Sequence, residues 1–193
     1  MTTITLELHP IIDLTDEQYY QLCRNNPDIN FERDRKGRLI IVPPTGGNTG
    51  RRNLKISGQL AVWEEQNPEL GVAFDSSTEF KLPGNGSRSP DAAWVKMDRW
   101  EALTEEQQEK FPPICPDFVI ELRSPSDRLA SLQAKMQEYL DGGLRLGWLI
   151  DPKNKQVEIY RQGQDVEVLQ SPTTLSGEDV LPGFVLGLSK ILN

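Results

Sequence analysis

The sequence predicts an α/β fold, a central mixed β-sheet flanked by α-helices. Two observations carry this. Between Phe118 and Ile150 an apolar run, a helix-periodic stretch and a second apolar run follow one another, the usual crossover between parallel strands. Elsewhere strand-like and helix-like stretches are interspersed with no internal repeat. The 193 residues suffice for one domain with its own core. The expected division is an extended lead-in over residues 1–14 and a single domain over residues 15–193.

The elements follow in order. Thr15 suits the N-cap of a short helix, Asp16 to Cys23, which Asn25-Asn26-Pro27 stops. A hairpin comes next, Ile29 to Arg33 and Arg38 to Val42, with Glu32 inside its first strand. Pro43-Pro44-Thr45-Gly46-Gly47 breaks the chain before a long helix that runs to about Gln66. Leu54, Leu60, Ala61 and Trp63 are its inward candidates, and Gly58 in its middle predicts close packing against a neighbour. Strands are expected at Val72 to Asp75, Thr78 to Leu82 and Asp91 to Lys96, with a tight loop at Pro83-Gly84-Asn85-Gly86. Two short polar helices, Asp98 to Leu103 and Glu105 to Lys110, precede the strand Phe118 to Leu122. Ser124-Pro125-Ser126-Asp127 is expected to open and cap the crossover helix. Leu129, Leu132, Met136, Tyr139 and Leu140 recur at its spacing, and Gly142-Gly143 ends it. Leu144 to Ile150, Gln156 to Tyr160, Val166 to Leu169 and Thr173 to Leu175 read as strands, followed by a C-terminal piece, Phe184 to Leu192.

What interrupts the apolar pattern points to chemistry. Glu121 sits in a strand that otherwise wants burial, and a buried carboxylate is costly unless paired, hydrogen-bonded or metal-bound. Lys135 lies about 90° from the centre of its helix's apolar stripe, so its ammonium reaches toward a strand end. Of two proline-aspartate pairs, Pro90-Asp91 and Pro116-Asp117, the first is followed at a suitable distance by Glu121. Asp91 and Glu121 on adjacent strands would make a hard-oxygen site suited to Mg²⁺ or Mn²⁺. Such an ion polarises a phosphodiester and activates a water, which a lysine can orient. The residues alone admit plainer readings. Asp91 can simply start a strand, Glu121 can form a structural ion pair with Arg123 or Lys135, Lys135 can lie along the surface, and Glu32 can bridge across its hairpin.

The segments S-P-D-A-A-W-V, P-D-F-V-I-E-L-R-S-P-S-D, K-M-Q-E-Y-L-D-G-G and G-W-L-I-D-P resemble the Uma-two family of the PD-(D/E)XK, restriction-endonuclease-like superfamily. The stretch from Ile29 to Asn53 also resembles the family's opening. The resemblance implies a Mg²⁺-dependent DNA endonuclease in which Asp91 and Glu121 bind the metal. The superfamily lysine two residues after the second acid is replaced here by Arg123. In this family it has moved to the following helix, where Lys135 stands, so the functional cation is Arg123 or Lys135, with Lys135 favoured as the compact three-donor charge. Glu32 matches an acid that completes the site, and Glu79 is a candidate accessory acid. Superfamily members that pair to cut two strands imply a homodimer by analogy. The alternative is a catalytically inactive nuclease-fold protein that serves as a nucleic-acid or protein binding module.

Composition narrows the setting. No run approaches the roughly 20 apolar residues of a membrane span, and no signal peptide is expected at the N-terminus. Cys23 and Cys115 have no metal-type spacing and read as reduced thiols of a cytoplasmic protein. The net charge of −8 argues against tight nonspecific DNA binding over a broad surface, despite local basic clusters at Arg33 to Arg38 and Arg51 to Lys55.

Overall fold

The stretch from Phe118 to Asp151 forms the centre of the structure, a computed structural model that describes residues 3–84 and 86–193. Met1 and Thr2 of the expected lead-in and Asn85 of the expected tight loop lie outside the described residues. In chain order the elements are β1 (Ile4–Leu6), α1 (Asp16–Asn25), β2 (Asn30–Arg33), β3 (Leu39–Val42), α2 (Gly47–Glu65), β4 (Gly71–Asp75), β5 (Phe80–Lys81) and β6 (Ser87–Arg88). There follow β7 (Ala92–Lys96), α3 (Met97–Glu101), α4 (Glu105–Glu109), β8 (Phe118–Leu122), α5 (Leu129–Asp141), β9 (Leu146–Asp151), β10 (Gln156–Arg161), β11 (Glu167–Gln170), β12 (Thr174–Ser176) and β13 (Val185–Gly187).

β8 and β9 pair in parallel, Phe118 beside Leu146 and Leu122 beside Ile150, with α5 as the crossover. The other strands of that sheet pair antiparallel, giving the order β11-β10-β9-β8-β7-β4. A second, antiparallel sheet runs β1-β3-β2-β6-β5. β12 and β13 form a separate pair.

Every residue of β8 is buried, which is why its sequence reads as one apolar run rather than an alternation. Phe118, Ile120 and Leu122 pack in one core with Ile56, Leu60 and Trp63 of α2 and with Phe184 and Leu186 near the C-terminus. Val119 belongs to the core on the opposite face, with Met136 and Tyr139 of α5. Glu121 shares that second face by strand alternation.

Three local expectations need correction. The long helix buries Thr49, Ile56, Leu60 and Trp63, whereas Leu54 and Ala61 are exposed. A Cβ on Gly58 would meet nothing within 4 Å, so that glycine marks no close approach. α5 starts at Leu129, and its N-cap, Arg128, makes no side-chain cap. Asp127 accepts the Ser124 N–H at 2.8 Å instead, closing its own turn in competition with a helix cap. The Thr15 cap is present, reinforced by Gln18 in a reciprocal capping box. Both cysteines are free. Among the described residues no helix is long and apolar enough to cross a membrane.

Candidate active site

The pairing of β7 with β8 sets the site. Ala92 lies opposite Ile120, and the same register continued by one residue sets Asp91 opposite Glu121. Opposed residues of an antiparallel pair project to one face. Asp91 is held at both oxygens: Oδ2 accepts the Leu122 N–H at 2.7 Å and Oδ1 accepts the Asn53 amide at 2.6 Å. Glu121, 3 % exposed, accepts the Tyr139 hydroxyl at Oε1 over 3.0 Å.

α5 presses the face bearing Met136 and Tyr139 onto the sheet, and this carries Lys135 inward. Its Nζ lies 2.8 Å from Glu121 Oε1 and donates to Glu32 Oε1 at 2.7 Å and to the Ser89 carbonyl at 3.0 Å. Two of the ammonium's three N–H donors are thus taken by hydrogen bonds, and Glu121 stands in ion-pair contact. Glu32 arrives from the second sheet. Arg33 of β2 pairs with Ser87 of β6, which brings the Arg88 guanidinium to 2.9 Å from Glu32 Oε2 and the Ser89 N–H to 3.2 Å from Oε1. Arg88 also binds Glu138 of α5 at 2.8 Å.

The charges of this cluster are unequally stabilised. Burial opposes ionisation of Glu32, but Lys135 and Arg88 outweigh it and hold the carboxyl below its usual range. Burial, joined by the charges of Asp91 and Glu32 and opposed by Lys135, pushes Glu121 up to about 7. Burial also raises Asp91, against the Leu122 N–H and Lys135. Lys135 is desolvated, yet Glu121 and Glu32 hold its ammonium charged beyond the ordinary lysine range.

The structure therefore gathers Glu32, Glu121 and Lys135 in direct contact and sets Asp91 across the strand pair from Glu121. Arg123 points elsewhere: it donates to Asp151 Oδ2 at 2.6 Å and to the Asp127 carbonyl at 3.3 Å. Glu79 is buried against the Tyr19 hydroxyl at 2.6 Å, and burial pushes its carboxyl up to about 8. Three contributors escaped sequence reasoning. Tyr139 follows Lys135 by four residues on the same helix face, a legible signal that was absorbed by its core role. Arg88 comes from a distant segment and carries no local signal, whereas Asn53 stands in helical phase with Thr49, Ile56 and Leu60 on the inward stripe of α2.

The residues suit a hard divalent cation. Among the described residues no three His, Cys, Asp or Glu side chains converge as a complete metal cage. Mg²⁺ needs none, because it takes one or two carboxylates and fills its shell with water and phosphate. Asp91 and Glu121 supply two carboxylates. The Asn53 Oδ1 beside Asp91 is a buried oxygen with no hydrogen-bond partner among the described residues.

A mixed sheet whose crossover helix brings a lysine to strand-borne acids defines a restriction-endonuclease-like fold. It is similar to the crystal structure, at 1.96 Å resolution, of "a putative nuclease belonging to DUF820" from Anabaena variabilis ATCC 29413, with a TM-score of 0.72 and 22% identity over 84% of this chain and 89% of that one. The family model Uma2, described as "Putative restriction endonuclease", matches residues 16–189. The chain belongs to the Uma2 family. No curated protein matches it.

Proposed function

We propose that the protein is a metal-dependent endonuclease that hydrolyses phosphodiester bonds in DNA in the cytoplasm, working as a homodimer to cut two strands. The observation that carries this reading is the Lys135 ammonium 2.8 Å from Glu121, with Asp91 in register opposite Glu121. Asp91 and Glu121 would hold Mg²⁺ or Mn²⁺. When bound, such an ion polarises the phosphodiester and lowers the pKa of a water. The Leu122 N–H and the Asn53 amide fix the Asp91 carboxylate. Tyr139 fixes one oxygen of Glu121, and Oε2 accepts no hydrogen bond among the described residues. Lys135 positions the attacking water or stabilises charge developing on the phosphate. Glu32 anchors Lys135 from behind.

Plasmid cleavage in Mg²⁺ tests the assignment. The wild type should nick or linearise the plasmid, and Asp91→Ala and Lys135→Ala should each abolish cutting. Cutting that persists in both variants would place the activity at another site.

One observation favours a second reading, an inactive nuclease-fold protein that binds nucleic acid or a protein partner. The Lys135 ammonium is engaged within the protein, hydrogen-bonded to Glu32 and the Ser89 carbonyl and in ion-pair contact with Glu121, as a structural ion-pair cluster would have it. On that reading no plasmid is cut in Mg²⁺ or Mn²⁺, and Lys135→Ala changes stability alone.

A further inference from the structure

Asn53 occupies an odd position for a structural residue. It lies within the 19-residue helix α2, where asparagine is a poor helix former. Its side chain leaves the helix surface to meet Asp91, the residue just before β7, with Nδ2 2.6 Å from Oδ1. An ionised carboxylate only accepts hydrogen bonds, so the amide nitrogen is the end that faces Asp91 and the oxygen is the end left over. That oxygen is sealed from solvent and has no hydrogen-bond partner. Asn53 stands on the inward stripe of α2 with Thr49, Ile56, Leu60 and Trp63, which explains its direction, but neither that packing nor a capping role uses its oxygen.

We infer that Asn53 is a positioning residue of the metal site. Its amide nitrogen orients Asp91, and its side-chain oxygen is reserved for the ion or for a water in the ion's shell. This rests on the reading of Asp91 and Glu121 as metal ligands. A neutral amide suits the task. It adds a hard oxygen donor without adding a third negative charge beside two carboxylates. Apolar replacement sets the loss of the hydrogen bond to Asp91 against the removal of an unsatisfied buried oxygen, so the metal-free fold should stay intact while the hold on the ion weakens. Residues that support ligands in this way typically contribute 10–100-fold to metal affinity, to order of magnitude.

The test is binding of Mn²⁺ alone, without nucleic acid, followed by the loss of the free-ion paramagnetic resonance signal. Wild type, Asn53→Leu, Asn53→Asp and Asp91→Asn are compared, with thermal unfolding in chelator as the control for folding. Asn53→Leu should lose about tenfold or more in Mn²⁺ affinity with an unchanged or raised unfolding temperature in chelator. Asn53→Asp, which keeps an oxygen, should retain more affinity than Asn53→Leu. Wild-type affinity in Asn53→Leu, beside loss in Asp91→Asn, overturns the role of Asn53 and leaves the metal site standing. Equal Mn²⁺ binding by wild type and Asp91→Asn removes the metal from Asp91 and overturns both. Should Asn53→Leu unfold in chelator well below the wild type, Asn53→Asp decides: an affinity as low as that of Asp91→Asn overturns the oxygen's role, and a retained affinity supports it.

Discussion

The Lys135 ammonium bridges Glu32 and Glu121 at 2.7 and 2.8 Å, joining a strand of the small sheet to a central strand of the large one. All three side chains are about nine-tenths buried or more. Removing the cation leaves Glu121 with the Tyr139 hydroxyl but no cation, beside a Glu32 that keeps Arg88. Breaking a buried pair in this way typically costs about 3–5 kcal/mol. Lys135→Met should lower the urea midpoint by that order. Adding Glu32→Gln should recover part of the loss, because the repulsion between Glu32 and the now unpaired Glu121 disappears. A double variant that loses the full sum of the two single losses would show that the pair is not coupled.

Arg123 stands where the superfamily pattern expects a lysine, but its guanidinium is committed to Asp151. Asp151 retains the N–H groups of Lys153 and Asn154 and the Asn154 side-chain amide when that contact is lost. Arg123→Ala should therefore cost about 1.5–3 kcal/mol, the range of a hydrogen bond to a charged group. It should leave plasmid cleavage by the folded fraction intact. Loss of cleavage at full stability, measured at a temperature well below unfolding, would return the role of the functional cation to Arg123.

These two cations show where the sequence was readable. Glu121 was conspicuous because it breaks an apolar run that both faces of the sheet bury, and the crossover itself follows from two apolar runs around a periodic stretch. Lys135 was half legible, since its angle on the helix gave its direction but not its burial. The partners were hidden. Arg88 meets Glu32 only because β6 pairs with β2 across more than fifty residues of chain. Arg123 finds Asp151 because the parallel register of β8 and β9 ends both strands at the same level. The phase of α2 was misread for a similar reason. Leu54 and Ala61 look as apolar as Ile56, and only the position of Trp94 and Phe184 decides which stripe turns inward.

Glu79 gives the fold a pH dependence away from the proposed metal ligands. Burial, helped by the charge of Glu32 and opposed by the Tyr19 hydrogen bond, raises its carboxyl from an ordinary 4.5 to about 8. The folded state thus favours the protonated acid. Its contribution to stability is complete below about pH 4.5 and is lost progressively up to about pH 8. The slope is at most on the order of 1.4 kcal/mol per pH unit. Glu79→Gln should remove that slope while keeping an oxygen for Tyr19. Thermal unfolding at pH 5 and pH 8.5 should show the variant gaining on the wild type as pH rises. A constant difference at both values would mean that Glu79 ionises normally.

Gly147 links the packing of the sheet to the position of Lys135. It lies in β9 against α5, and a Cβ there would fall 2.5 Å from Met136 Cε and 2.8 Å from Leu144 Cδ2. Both atoms end flexible side chains, so Gly147→Ala should be accommodated at about 1–3 kcal/mol, the usual cost of overpacking. Met136 is the residue after Lys135, and whatever pressure its methyl does not relieve by turning aside is passed to α5, lifting it from the sheet. That movement lengthens the contact between Lys135 and Glu121, so cleavage should fall by more than the loss of folded protein explains. Gly71→Ala supplies the contrast. Its Cβ would meet the Val95 carbonyl at 2.3 Å and the Trp94 ring at 2.4 Å, and a backbone oxygen in a paired strand has little room to yield. Gly71→Ala should therefore cost more stability than Gly147→Ala but spare the specific activity of whatever remains folded. Equal activity per folded molecule in the two variants would break the proposed link between α5 packing and the site.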